Sequence, residues 1–375
     1  MLKAVGVYIF AGGFSLGVRK YFDVLAHCED EKPYGLEVIH LNRERFWGNM
    51  PVIPWPKWEK GLGFNDIDFV YGNPPCAPFS NNNPISYEPG SWKKDPRIKC
   101  WSNIIDFARA TQAKVVALET VPQAYNKAPE LIIETLKNMS ETWLFRYLLF
   151  HNIALMGSIQ NRNRLFIVGS KVPLCLERHE LFYPTETAGT RLELFESTRE
   201  QSRVYWSLPV APKYMPIVKA THQGESMRDA FDRVVPEDKR ILNKQGKVTG
   251  RPSFNIKRLH VGERVNTLCG FAHIHPTEDR YVSVKEYQIL ADYPVDYEIP
   301  EKCEGYGYIS RGVSPVAGEW LAKMVSRSLE YSKDREFNSV SQTVLFDGIS
   351  WGIHPKWDLI HLDKPLPKVK LSRKY

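Results

Sequence analysis

The chain lacks the marks of an extracellular or membrane protein. Its six cysteines, Cys28, Cys76, Cys100, Cys175, Cys269 and Cys303, lie far apart with no CxxC pair, which argues against a disulfide framework and against a zinc site. No metal is expected. Apolar runs are short, as in Val115 to Leu118, and the opening MLKAVGVYIFAGG reaches its glycines too soon for a membrane span or a signal peptide. There is no internal repeat and no low-complexity segment. These absences point to a cytoplasmic protein with no membrane partner.

What is present is ordinary globular material. The 375 residues are 43% hydrophobic and 25% charged, enough for one large domain or for a domain carrying a sizeable insertion. A net charge of +7 suits a polyanionic partner, although many plain soluble proteins share it.

The first 170 residues alternate short apolar strands with helical patterns, which predicts an α/β fold with a doubly wound, mostly parallel sheet. AVGVYIF, LEVIHL, DIDFVYG, KVVALE and RLFIVG read as strands. Trp101, Ile104, Ile105 and Ala108 recur at helical spacing, as do Ile132, Ile133 and Leu136. From about 171 to 262 the alternation fades. Between Arg240 and Arg264 that stretch holds seven basic residues and one acidic one, Glu263. It reads either as a solvated surface or as a phosphate-tracking one, with Lys244, Lys247, Arg251, Lys257 and Arg258 as the candidate nucleic-acid contacts. Regular patterning returns in YVSVKEYQILADYP and in a helix from about Ala317 to Leu329.

Ligands in such sheets bind beyond the carboxyl ends of the strands, and several unusual residues sit there. Pro74 and Pro75, whose φ is locked, lead into Cys76, and a cysteine held so rigidly suits a nucleophile. Glu119 ends the strand KVVALE, where burial would raise its pKa and let it hold or donate a proton. Gln160, Arg162 and Arg164 follow at period two before an apolar strand, which puts them on one face. Taken singly, each has a bland alternative: a buried thiol, a structural ion pair, ordinary surface alternation.

Their succession is more specific. FAGGFSLG (10 to 17), PPCAPFS (74 to 80), ETV (119 to 121), QNRNR (160 to 164), a variable stretch, HPTEDRYVSVKEYQILADYP (275 to 294) and RGVSPVAGEWLAKMV (311 to 325) resemble, in order, the motifs of the DNA cytosine-5 methyltransferase family. The resemblance runs to about residue 330. It implies a Rossmann-like methyltransferase domain at 1 to 170, a smaller irregular target-recognition region at 171 to 262, a return to the catalytic domain at 263 to 330, and an extension of unknown role at 331 to 375.

The resemblance further implies S-adenosylmethionine as cofactor and double-stranded DNA as substrate, with a cytosine flipped from the stack. Cys76 would add to C6, Glu119 would engage N3, and Arg162 and Arg164 would position and steady the base. Ser80 and Gln160 would help place it. The cationic neighbours would also favour the thiolate. Phe10, Gly12, Gly13, Asn42, Asp66, Ile67, Pro75 and Ser314 would contact the cofactor. A prokaryotic or phage-encoded monomer is expected, and the family leaves room for a cognate restriction nuclease.

The departures fall on the cofactor side. The family's first loop usually reads Phe-x-Gly-x-Gly-Gly. An ungapped alignment on Gly12 and Gly13 puts Tyr8 in place of the Phe and Phe10 in place of the first Gly, whereas a two-residue deletion keeps Phe10 and Gly12 in register. After LEVIHL, read as the second strand, His40 or Asn42 stands where the family has an acid for the ribose hydroxyls. Gly312-Val313 replaces Gly-Asn, and Ala77 replaces a polar residue. Two other readings therefore stay open: a cytosine C5-modifying enzyme with another cofactor or substituent, and a non-catalytic nucleic-acid-binding relative.

Overall fold

The fold is taken from a computed structural model, which describes the chain except at residues 62, 81–87, 89, 176–185, 199–204, 244–245, 247, 250, 253–255, 269–272, 334–342, 348–356, 362–365 and 367–375. It has two compact units, one of residues 1–157, 162–183 and 312–375, the other of 158–161 and 184–311. The sequence-based boundary at 262 is not followed: the 275 to 294 motif belongs to the second unit.

The first unit is built on β1 (Leu2–Val7), α1 (Gly13–Val18), β2 (Phe22–Glu29), α2 (Leu36–Leu41), β3 (Val52–Pro54), β4 (Phe69–Gly72), α3 (Lys99–Ala110) and β5 (Val115–Thr120). It continues through α4 (Gln123–Lys127), α5 (Pro129–Ser140) and β6 (Phe145–Asn152). The second unit contributes β7 (Gln160–Asn161), followed in the first by β8 (Asn163–Ser170). The sheet order is β6-β8-β5-β4-β1-β2-β3, parallel except that β8 runs against both neighbours. Because β8 is reversed, its first residues reach the edge where β4 and β5 end.

Strands β1, β4 and β5 are almost wholly apolar because both faces are covered, as expected of parallel strands buried between helices. On α3 the spacing read from the sequence buries Trp101, Ile104, Ile105 and Ala108, and each fully buried large side chain contributes roughly 1.5–3 kcal/mol. LEVIHL is a correction: it is the helix α2, begun by Gly35 at φ 92° and burying only Val38 and Ile39. Six apolar-rich residues satisfy either periodicity, and the true second strand is FDVLAHCE, whose mixed composition hid it.

The second unit holds α6 (Ala188–Thr198), α7 (Met215–Ala220), α8 (Met227–Val234), β9 (Val265–Asn266), α9 (Val284–Leu290) and α10 (Cys303–Arg311). Its only described ladder is β7 with β9, so it is as irregular as the fading alternation implied. The chain then returns to the first unit through α11 (Pro315–Tyr331). Beyond it β10 (Thr343–Asp347) joins β6 in parallel, and β11 (Trp357–His361) pairs antiparallel with β10. The extension of unassigned role thus lengthens the central sheet to nine strands. Among the described residues no helix is long and apolar enough to cross a membrane.

Candidate active site

Cys76 lies in a braced loop. Asn73 leaves β4 with its amide donating to the Val7 carbonyl at 3.2 Å, two prolines follow, and the Phe79 amide returns to the Cys76 carbonyl at 3.0 Å. Phe79 is fully buried, its ring edge-on to Trp101 of α3 at 5.8 Å. The loop is therefore pinned at both ends and has little freedom between. The Cys76 side chain is left half-buried.

Glu119, the penultimate residue of β5, is buried at 3% exposure. Its Oε1 meets Arg164 Nε at 2.5 Å, and its Oε2 accepts from the Asn73 side-chain amide. Arg162, two residues before Arg164, donates from Nη2 to the Gly312 carbonyl at 2.9 Å, and its backbone amide donates to Asn152 Oδ1 at 3.2 Å. Burial pushes the Glu119 carboxyl up, and the two arginines oppose the shift. The Cys76 thiol is also pushed up, by burial first and by Glu119 second, with Arg164 and Arg162 acting against both. The cationic neighbours are present, but they do not prevail: the resting form is the thiol. Cys76, Glu119, Arg162 and Arg164 are thus brought together in the first unit. Asn73 was missed by sequence reasoning, because an asparagine before two prolines reads as an ordinary turn residue.

On the cofactor side, the first loop carries three residues of positive φ. Tyr8 has φ 55°, Phe10 φ 53° and Gly12 φ 80°, so Phe10 occupies the left-handed conformation that a glycine takes without strain. Two non-glycine residues held this way cost of order 1–3 kcal/mol each, the kind of strain that collects at functional sites. Gly12 caps α1 and Gly13 is its first residue. Pro75 is half-buried beside Cys76, and Ser314 is the N-cap of α11, its side chain accepting from the Val316 amide at 3.3 Å.

Three expected cofactor contacts are corrected. Asn42 does not end a strand: it closes α2, its side chain donating to the Val38 carbonyl at 2.8 Å. The acid at the carboxyl end of the second strand is Glu29, 6% exposed, whose Oε1 accepts from the Ile9 amide at 2.8 Å. Burial pushes Glu29 up to about 8 despite that hydrogen bond. Asp66 and Ile67 precede β4 and so lie at its amino end. That is the edge opposite Cys76, and Lys171 there feels the Asp66 charge.

Ser80 closes the Cys76 loop through its amide, which donates to the Ala77 carbonyl at 3.3 Å. Gln160 belongs to the second unit, fully buried in β7 with neither side-chain amide atom hydrogen-bonded. Of the basic candidates, Lys244 and Lys247 lie outside the described residues. Lys257 is half-buried, and Arg251 is paired in two places with Asp232. Arg258 is a correction: it is 6% exposed and donates to Val218, Thr221, His275 and Glu278 carbonyls and to Asp279. It ties loops together and has nothing left for a phosphate.

One histidine–carboxylate group stands out among the described residues, Glu196, His275 and Glu286. His275 Nδ1 accepts from the Glu278 amide at 3.2 Å, which puts the ring proton on Nε2, and Arg280 holds both Glu286 oxygens at 2.8 Å. The three ligand atoms lie within 4.8 Å of one another, with Glu286 already neutralised by Arg280.

Residues 9–327 match the family model of the C-5 cytosine-specific DNA methylases. A protein named as a type II methyltransferase, from Methanocaldococcus jannaschii, is 22% identical over 344 residues, spanning 88% of this chain and all of its own. The structure of an E. coli prophage protein described as a DNA modification methyltransferase aligns with a TM-score of 0.58 at 18% identity, covering 88% of this chain and 100% of that one. The Entamoeba histolytica methyltransferase EhMeth aligns with a TM-score of 0.56 at 10% identity, covering 88% and 99%. With the family model matching most of its length, the chain belongs to the C-5 cytosine-specific DNA methylase family.

Proposed function

We propose that the protein transfers a methyl group to C5 of a cytosine in double-stranded DNA. The observation that carries this reading is the buried Glu119–Arg164 pair beside the braced Cys76, at the edge where β4 and β5 end. A pyrimidine C5 is a poor nucleophile until a thiolate adds to C6 and the ring nitrogen N3 is protonated or hydrogen-bonded. Cys76 supplies the thiolate. Its resting thiol gives its proton to solvent as the flipped base enters, when Arg162 and Arg164 are near enough to steady the charge. Glu119, already pushed toward its protonated form by burial, engages N3. Loss of the C5 proton and expulsion of the Cys76 sulfur then restore the ring and the enzyme.

S-adenosylmethionine, when bound, supplies an electrophilic methyl carbon. The residues present suit it: Glu29 at the end of β2 is an acceptor for ribose hydroxyls, Gly12 opens the loop before α1, and Ser314 caps the facing motif. The strained Phe10 changes the shape of that loop without removing its turn. The expectation that goes with this reading is a monomeric, cytoplasmic enzyme of prokaryotic or phage type, with or without a cognate nuclease.

Mass spectrometry of nucleosides from DNA incubated with the protein tests the reading. A gain of one methyl mass on deoxycytidine, dependent on S-adenosylmethionine and lost in C76A, is the expected result. An adduct with 5-fluorocytosine DNA but no methyl product would redirect the search to another cofactor. No adduct at all would leave a non-catalytic binder.

A further inference from the structure

We propose that Asn73 is the positioning residue of Glu119: its side-chain amide holds Oε2 in both charge states, donating through Nδ2 to the carboxylate and accepting through Oδ1 from the acid. The inference rests on the role given to Glu119 above.

The geometry is specific. Asn73 is 2% exposed, its backbone amide fixed on Val7 and its side chain turned to Glu119, where Nδ2 donates to Oε2 and, at 3.4 Å, to the backbone carbonyl. Its Oδ1 is buried with no hydrogen-bond partner. An orphaned buried acceptor costs about 1–3 kcal/mol, so it calls for a use. The other carboxyl oxygen, Oε1, is held by Arg164 at 2.5 Å, and an arginine offers no acceptor for a proton. A proton taken up by Glu119 therefore goes to Oε2, the oxygen that Asn73 holds.

An O–H in that place needs an acceptor where the carboxylate needed a donor. Half a turn of the amide exchanges Nδ2 for Oδ1 at the same position, so the orphaned oxygen becomes the partner of the acid. Among side chains of this length only an amide does both at neutral pH. Aspartate would accept only, and leucine would do neither. Because Oδ1 is sealed from solvent, Asn73 acts through Glu119 and not on the base directly.

Infrared difference spectroscopy on the full chain, titrated without DNA, follows the carboxylic-acid C=O stretch of Glu119, assigned by its loss in E119Q. N73A removes the partner of both forms, but the charge-assisted bond to the carboxylate is the stronger of the two, so the midpoint rises by about one pH unit, a tenfold change in the acid constant. N73D, of equal size, places a second carboxylate against Oε2 and raises it further. In single-turnover methyl transfer N73D is slowed roughly 10-fold to 100-fold at neutral pH. It recovers toward acid pH, where the introduced carboxyl is protonated and again offers a donor and an acceptor. Unchanged midpoints with rates lowered evenly at all pH values would overturn the proposal and leave Asn73 a packing residue. If the wild-type chain makes no methyl product, the function above fails, while the infrared titration still decides for or against Asn73.

Discussion

Gly17 of α1 and Gly318 of α11 bring the first and last motifs of the chain into backbone contact. A Cβ on Gly318 would sit 2.5 Å from the Phe14 carbonyl oxygen, and one on Gly17 would fall on the backbone of Pro315 and Glu319. No flexible side chain stands between the helices to yield. The contact fixes the start of α11, with Ser314 as its N-cap, against α1. Gly17→Ala and Gly318→Ala should each destabilise the protein by about 1–3 kcal/mol, as overpacking does. Urea titration measures this directly, and a midpoint equal to wild type would mean that the helices part at no cost.

Cys76 reactivity gives a second test. Burial and the Glu119 charge both hold the thiol above its ordinary range, whereas Arg164 and Arg162 lower it. E119Q removes one raising influence and leaves Arg164 unpaired beside the sulfur, so the thiolate forms at lower pH. Alkylation of Cys76 by iodoacetamide at neutral pH should accelerate roughly threefold to tenfold in E119Q and slow in R164A. The reverse order would mean that the arginines do not act on Cys76.

The legible part of this chain was the part written in short, dense motifs. Cys76, Glu119, Arg162 and Arg164 were found because proline, a strand end and a period of two each leave a local trace. One error began with the misreading of LEVIHL. A six-residue apolar run obeys both periods, and choosing the strand displaced the second strand from FDVLAHCE. The residue facing the ribose hydroxyls was then sought at Asn42, whereas the true strand ends at Glu29. Asp66 shows a different limit: sequence order says that it is near β4 but not which end of β4 holds the site. Arg258 shows a third, since a basic residue in a basic stretch is indistinguishable from one buried among carbonyls until the fold is known.

Glu29 links stability to pH. Its carboxyl titrates at about 8 in the folded chain against about 4.5 unfolded, so between those values the unfolded state binds fewer protons and stability falls as pH rises. E29Q should remove that fall, gaining on the order of 2 kcal/mol at pH 8 relative to wild type and little at pH 4.5. If the ionised acid is what receives the ribose hydroxyls, wild-type affinity for S-adenosylmethionine should rise as pH passes about 8, and E29Q should bind weakly at every pH. Calorimetry over that range distinguishes a binding carboxylate from a merely buried one, for which the affinity would not follow the titration.

Arg258 and Lys257 are neighbours in sequence with opposite expected effects. Arg258 satisfies four carbonyls and Asp279 from a buried position, so R258A leaves those acceptors unpaired and should cost several kcal/mol, roughly 2–4. It removes no phosphate contact. At permissive temperature the folded fraction of R258A should therefore bind duplex DNA with an unchanged salt dependence. Lys257 is half-buried with a flexible stem, free to reach a phosphate. K257A should fold as wild type, but the slope of log affinity against log salt should fall by about 0.9, the loss of one phosphate contact. Fluorescence anisotropy at several salt concentrations, read beside urea midpoints, separates the two. A reduced slope in R258A would mean that this arginine leaves its carbonyl cage when DNA binds.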